Sequence, residues 1–245
     1  MVYHKPVLLN ECVKGLNIHP TGIYVDVTFG GGGHSALILE GLNGGKLFAF
    51  DHDKSANDNN LNRNGFKLIN SNFRYIKKIL RMEGVKRIDG LLADLGVSSY
   101  HFDKSERGFS IRFDEELDMR MNKQSELSAK EVLKLYTEEK LTNIFYNYGE
   151  LSSSRKIAKQ IVLSRKKSDL LTTYDLIECI SHLIPSKKRN QFLARVFQSI
   201  RIEVNDEINA LKEMLNSAVD LLDAGGRLVV LSYHSIEDRI VKNLF

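Results

Sequence analysis

Cysteine and proline are scarce in this chain. Cys12 and Cys179 are its only thiols, they stand far apart, and neither belongs to a CxxC pair. They suggest neither a disulfide framework nor a zinc site, and no metal site is expected elsewhere. Prolines number three in 245 residues, and no low-complexity tract interrupts the chain. No internal repeat of roughly 20–50 residues marks a solenoid. No apolar stretch reaches the roughly 20 residues that cross a bilayer, and the polar start MVYHKPVLLNE does not read as a signal peptide. The expected setting is cytoplasmic, without a membrane partner.

Hydrophobic residues make up 42% of the chain and charged residues 27%, a balance that belongs to a folded protein rather than a disordered one. The formal charge of +4 leans basic, which permits a polyanionic partner without requiring one.

The first hundred residues alternate short apolar runs with amphipathic segments. GIYVDVTF (22–29), GKLFAFDHD (45–53), FKLINSNF (66–73) and RIDGLLADLGVSS (87–99) read as strands. SALILEGL (35–42), the polar KSANDNNLNRN and YIKKILRMEG (75–84) read as helices between them. Such alternation argues for βαβ units and a parallel sheet. From about Asp103 to about Asn205 the apolar spacing becomes helical. After a helix at 207–222, an AGG turn at 224–226 and RLVVLSYHS (227–235) look like sheet again. The expected architecture is α/β: a Rossmann-like domain formed by residues 1–102 and 206–245, with a mostly helical insertion at 103–205.

YVDVTFGGGGHS joins a strand, an aspartate and four consecutive glycines to the start of a helix. In open α/β sheets ligands lie beyond the carboxyl ends of the strands, where a glycine turn presents backbone N–H groups and the positive end of a helix. A dinucleotide and S-adenosylmethionine (SAM) both use such a unit. Both also want a later carboxylate at the ribose, which Asp51 supplies. Gly31-x-Gly33-x-x-Ala36 fits the dinucleotide fingerprint only loosely. Asp26, placed before the turn, is awkward beside a pyrophosphate and common beside SAM. Four glycines in a row lose much backbone entropy on folding, and close approach of a ligand is the expected reason for them.

Six blocks carry more specific information: HKPVLLNECV (4–13), YVDVTFGGGGHS (24–35), DGLLADLGVSS (89–99), RGFSIRFDEELDMRM (107–121), FQSIRIEVNDEI (197–208) and LVVLSYHSIEDRIVK (228–242). Together, and in this order, they closely resemble the bacterial ribosomal RNA small-subunit methyltransferase H family, the MraW-type enzymes. The resemblance implies a SAM-dependent methyltransferase sheet and methylation of a cytidine N4 amino group in the decoding region of 16S rRNA, with the small ribosomal subunit as partner. It places cofactor contacts at Gly32, Gly33, His34, Asp51, Phe73 and Asp94, and at His101, where the family has glutamine. A homodimer is compatible with it. The family also usually has proline where this chain has Glu116, and its members commonly continue some tens of residues past SIEDRIVK.

Cytosine N4 is a poor nucleophile because its lone pair is delocalised into the ring. Acceptors for the amino hydrogens bias that lone pair outward. Asp94 and the backbone from Leu95 to Ser98 are the expected lining of the target pocket, and Tyr233 and His234 the expected contacts to the base. Arg107, Arg112, Arg120 and Lys123, with the basic runs at 154–167 and 186–195, are the expected phosphate contacts. A cytidine must be extruded or unpaired to reach the donor. An NAD-dependent oxidoreductase and a non-catalytic RNA-binding protein are the alternatives.

Overall fold

The computed structural model describes residues 6–96 and 107–244. The chain divides into two compact units, Met1–Ser98 with Ile208–Phe245, and Ser99–Glu207.

The first unit contains α1 (Leu9–Leu16), β1 (Ile23–Asp26), α2 (Gly33–Glu40), β2 (Lys46–Asp51), β3 (Phe66–Asn70), α3 (Ile76–Met82) and β4 (Ile88–Asp94). The five helices of the second unit follow in sequence: α4 (Ala129–Leu135), α5 (Glu138–Asn147), α6 (Ser154–Ser164), α7 (Thr173–Cys179) and α8 (Arg189–Asn205), counted among the described residues. The chain then returns to the first unit through α9 (Glu207–Leu221), β5 (Leu222–Leu231) and α10 (Ser235–Lys242). All five strands are parallel, in the order β3-β2-β1-β4-β5. This is a Rossmann-like sheet. Its order reverses between β1 and β4, which makes their carboxyl ends the switch point where such sheets bind ligands.

Alternation along the strands sorts the core into two layers. Val25, Phe48, Phe50 and Leu91 pack with Ile76 and Leu80 of α3 and with Leu211, Met214 and Leu215 of α9. Their neighbours Tyr24, Leu47 and Leu92 pack instead with Cys12 and Leu16 of α1 and Ile38 and Leu39 of α2. A parallel strand covered on both faces has to be apolar nearly throughout, which is why these segments read as continuous runs rather than alternating ones.

Two segments differ from the sequence expectation. KSANDNNLNRN forms only a 3₁₀ stretch at Lys54–Asn59 instead of a helix. Side chains in and just before it bond nearby backbone, Asp53 accepting from Ser55 N and Asn60 from Asn62 N, and such local bonds compete with helix formation. The AGG segment lies inside β5 rather than before it. Ile88 pairs with Leu222 but Gly90 with Arg227, so the extra residues form a bulge.

In the second unit, α4, α5 and α7 open on side-chain caps. Ser128 with Glu131 and Thr172 with Asp175 form capping boxes, and Thr137 accepts from Lys140 N. The RGFS and LDMRM blocks meet here. Arg120 holds both oxygens of Asp118, at 2.6 and 3.1 Å, and Arg107 donates to the carbonyls of Arg120 and Met121. These two guanidiniums, expected at RNA phosphates, are engaged in holding their own loop together. Arg112 and Lys123 are exposed.

Candidate active site

Three strands of the first unit end on an acid, and each acid is fixed differently. Asp26, at the end of β1, is fully buried. Its Oδ2 accepts from Ser35 Oγ at 2.7 Å and its Oδ1 from Thr28 N at 3.1 Å. Burial pushes this carboxyl above the ordinary range, and the Ser35 and Thr28 bonds oppose the shift. Thr28 in turn accepts from Asp94 N through its hydroxyl, at 2.7 Å, tying the end of β1 to the end of β4.

Asp51, at the end of β2, accepts from Gly30 N through Oδ2 (2.9 Å) and from Asp53 N through Oδ1 (2.8 Å). It therefore braces the glycine turn from the neighbouring strand. Gly32 stands at φ +77°, in the left-handed region, as the N-cap of α2. The approach to Gly33 comes from the protein itself: a Cβ there would lie 2.3 Å from Cγ of Pro6. Pro6 lies against the turn, and close approach of a ligand is not needed to explain this glycine. His34 is buried, its Nε2–H donating to the Val7 carbonyl at 3.2 Å. Its Nδ1 then faces Asp94 Oδ2 at 3.8 Å, beyond hydrogen-bonding reach.

Asp94, at the end of β4, keeps 23% of its side chain exposed. Tyr233 Oη donates to its Oδ1 at 2.7 Å. Burial raises the pKa of this carboxyl, the Tyr233 bond and His34 pull it down, and the nearby Glu237 charge raises it. Tyr233 lies beyond β5, where buried Glu237 accepts from Tyr233 N at 2.9 Å. His234 is the N-cap of α10. Its Nδ1 accepts from Glu237 N at 3.4 Å, and its Nε2 lies 3.3 Å from Glu237 Oε1.

Of the expected site residues, Gly32, Gly33, His34 and Asp94 come together around the switch point with Tyr233, and Asp51 is linked to them through Gly30. His234 neighbours Tyr233 in sequence, and its Nδ1 is used in capping α10. Phe73, just past β3, packs half-buried against the core layer of α3 and α9. Ser98 and His101 lie outside the described residues. Sequence reasoning assigned nothing to Pro6, Val7 or Glu237. The spacing of His234 and Glu237 matches a capping box with histidine in the first position, and that was the available signal for Glu237.

The Asp26 network yields a stability prediction. Asn at position 26 keeps an acceptor for Thr28 N and turns its amide toward Ser35, whose hydroxyl accepts as readily as it donates. Because the folded pKa is raised, the ionised Asp26 weakens the fold as pH climbs through that pKa, and below the ordinary carboxylate range this cost vanishes. Asp26→Asn is therefore expected to gain stability over the native chain at pH 8, a gain that fades toward pH 3.5 (denaturant titrations at both pH values test this). Asp26→Ala strands the Ser35 and Thr28 donors and costs about 1–3 kcal/mol for each.

Compared with known proteins, the chain matches the MraW methylase family over residues 1–245. It is similar to the protein named ribosomal RNA small subunit methyltransferase H of Bacteroides thetaiotaomicron, at 54% identity over 245 residues, covering 100% of this chain and 81% of the relative. The protein of the same name from Flavobacterium johnsoniae is 53% identical over 243 residues (99% and 80% covered), and that from Cytophaga hutchinsonii 52% over 244 (99% and 82%). A solved rRNA methylase from Streptococcus thermophilus aligns at a TM-score of 0.30, with 21% identity over 42% of this chain and 61% of its own, a likeness too slight to carry an argument.

Proposed function

Because this chain belongs to the MraW methylase family, it is a methyltransferase, and we propose that it moves a methyl group from SAM to a cytidine N4 amino group of 16S rRNA in the small ribosomal subunit. Family membership removes the oxidoreductase alternative. When bound, SAM supplies an electrophilic methyl group on a sulfonium centre.

The chain's own residues suit that donor. Asp51 accepts a backbone N–H on each oxygen, and a carboxylate oxygen can accept more than one hydrogen bond, which suits a ribose diol. Gly32, Gly33 and His34 form the turn beside it. Phe73 is assigned to the adenine side, and His101 is carried as a further donor contact by family position.

The observation that carries the reading is Asp94: a carboxylate at the switch point, mostly buried but open on one side, with Tyr233 on one oxygen. It accepts the amino hydrogens of the base and turns the N4 lone pair toward the methyl group. Ser98 and His234 are assigned to the rim of the same pocket.

The basic residues of Ser99–Glu207 supply the phosphate contacts. Arg155, Lys156 and Lys159 are exposed on α6, and Lys187, Lys188 and Arg189 are exposed around the start of α8. Reversing the charge of Lys187, Lys188 and Arg189 together is expected to weaken RNA binding by at least about tenfold at physiological salt and to flatten its salt dependence, leaving SAM affinity unchanged. Equal RNA affinity of the two proteins across a salt series defeats this assignment.

The function itself is tested by transfer of labelled methyl groups from SAM to small subunits lacking the modification, followed by nucleoside analysis. Label in N4-methylcytidine supports the reading. Label in another nucleoside refutes the target, and RNA binding without any transfer favours the non-catalytic alternative.

A further inference from the structure

Tyr233 stands at an unusual junction. Its side chain is exposed, at 54%, yet its hydroxyl is committed to Asp94 Oδ1 at 2.7 Å. Two features fix it there. Glu237 holds its backbone N–H at 2.9 Å, so the register between the end of β5 and the start of α10 cannot slip. Gly96, two residues beyond Asp94 at φ +97°, leaves room for the ring: a Cβ there would lie 3.2 Å from Cδ2 of Tyr233. A side chain destined only to stack on a base has no need of its hydroxyl, and this hydroxyl is spent on the acid that the proposed chemistry uses.

We propose that Tyr233 is a positioning residue for methyl transfer, its hydroxyl fixing the Asp94 carboxylate in one rotation and in the charged form that accepts the cytidine amino hydrogens. The inference rests on the assignment of Asp94 in the proposed function. The groups facing Asp94 make such a donor necessary. Asp26 at the end of β1 and Glu237 on α10 are like charges, and Cys12 on α1 is a thiol that burial, with Asp94 next, pushes up to about 11. Against them stand Tyr233 and His34, and His34 Nδ1 is 3.8 Å away. Among the described residues Tyr233 is therefore the closest donor holding a carboxylate that burial and Glu237 drive toward protonation. The tyrosine itself does not ionise in this role, since burial and Asp94 raise its own pKa.

Tyr233→Phe removes the hydroxyl and keeps the ring against Gly96. Three readouts on the full chain test the proposal. The Asp94 carboxyl carbon, identified among labelled aspartates by its absence in Asp94→Asn, is expected to titrate at higher pH in Tyr233→Phe than in the native protein. The acid limb of the kcat profile is expected to move in the same direction, with kcat at neutral pH falling about tenfold. SAM affinity by calorimetry is expected to fall by less than the rate, since the lost bond faces Asp94, one expected cofactor contact among several, and not the ribose acceptor. An unchanged Asp94 titration, or an acid limb that stays in place, overturns the proposal. A fall in SAM affinity that accounts for the whole loss of rate overturns it as well. If the native protein fails to methylate small subunits, the functional assignment falls, while the carboxyl titration still decides whether Tyr233 controls Asp94.

Discussion

Asp94→Ala is expected to lower the rate of methyl transfer by about 10²–10³-fold, the usual consequence of deleting one preorganised polar group from a reacting centre. The alanine leaves the amino hydrogens without their acceptor, and it also strands the Tyr233 hydroxyl that bonded Oδ1. Asp94→Asn separates these effects. Its carbonyl oxygen still accepts from Tyr233 or from the base, so part of the rate survives, but it has no proton to take up below neutral pH. The native profile is expected to rise with pH through a carboxyl pKa above the ordinary range, because burial raises that of Asp94. The asparagine protein is expected to lack that limb. Single-turnover rates of the three proteins between pH 5 and 9 are the relevant measurement. An alanine variant that binds SAM and methylates at the native rate removes Asp94 from the chemistry.

Asp51→Ala is expected to affect binding and folding together. SAM affinity should fall on the order of 10²-fold, since hydrogen bonds to a charged acceptor are worth about 1.5–3 kcal/mol each. The stability loss arises from a separate contact set. Gly30 N and Asp53 N both lose their acceptor, at about 1 kcal/mol or more apiece where they are shielded from water. For a chain of this size that lowers Tm by roughly 4–8 °C. Asp51→Asn keeps one acceptor oxygen and is expected to fall between the two. Calorimetric SAM titration and thermal melts on the same samples give both numbers. A variant that melts lower but binds SAM at native affinity shows that Asp51 serves the glycine turn alone.

The sheet was largely legible in the sequence because a parallel strand buried on both faces leaves an unbroken apolar run, as in LFAF and GLLAD. The acids closing β1, β2 and β4 were legible for the same reason: each is the first charge after such a run. What the acids hold was not. Asp51 reaches Gly30 across 21 residues and His34 reaches Val7 across 27, and these pairings exist only once neighbouring elements are docked. The glycines illustrate the limit well. Their number announced a close approach, but the sequence does not say that the approaching group at Gly33 is Pro6. Arg107 and Arg120 show a similar limit, since a guanidinium bound to carbonyls or to Asp118 has the same letter as one facing solvent. The 54–59 segment is 3₁₀ because local Asp and Asn side chains compete for nearby backbone groups, which the alternation of apolar and polar segments does not register.

The discontinuity of the first unit has a consequence during synthesis. β4 emerges from the ribosome with one hydrogen-bonding edge satisfied by β1, but its other neighbour, β5, follows only after the whole of Ser99–Glu207 has been made. At about 5–20 residues per second that interval is on the order of ten seconds, during which an apolar strand edge waits unpaired and open to wrong partners. Nascent chains stalled before Leu222 should therefore recruit chaperones more strongly than chains released whole, and Tyr233, made after β5, reaches Asp94 only after that edge has closed.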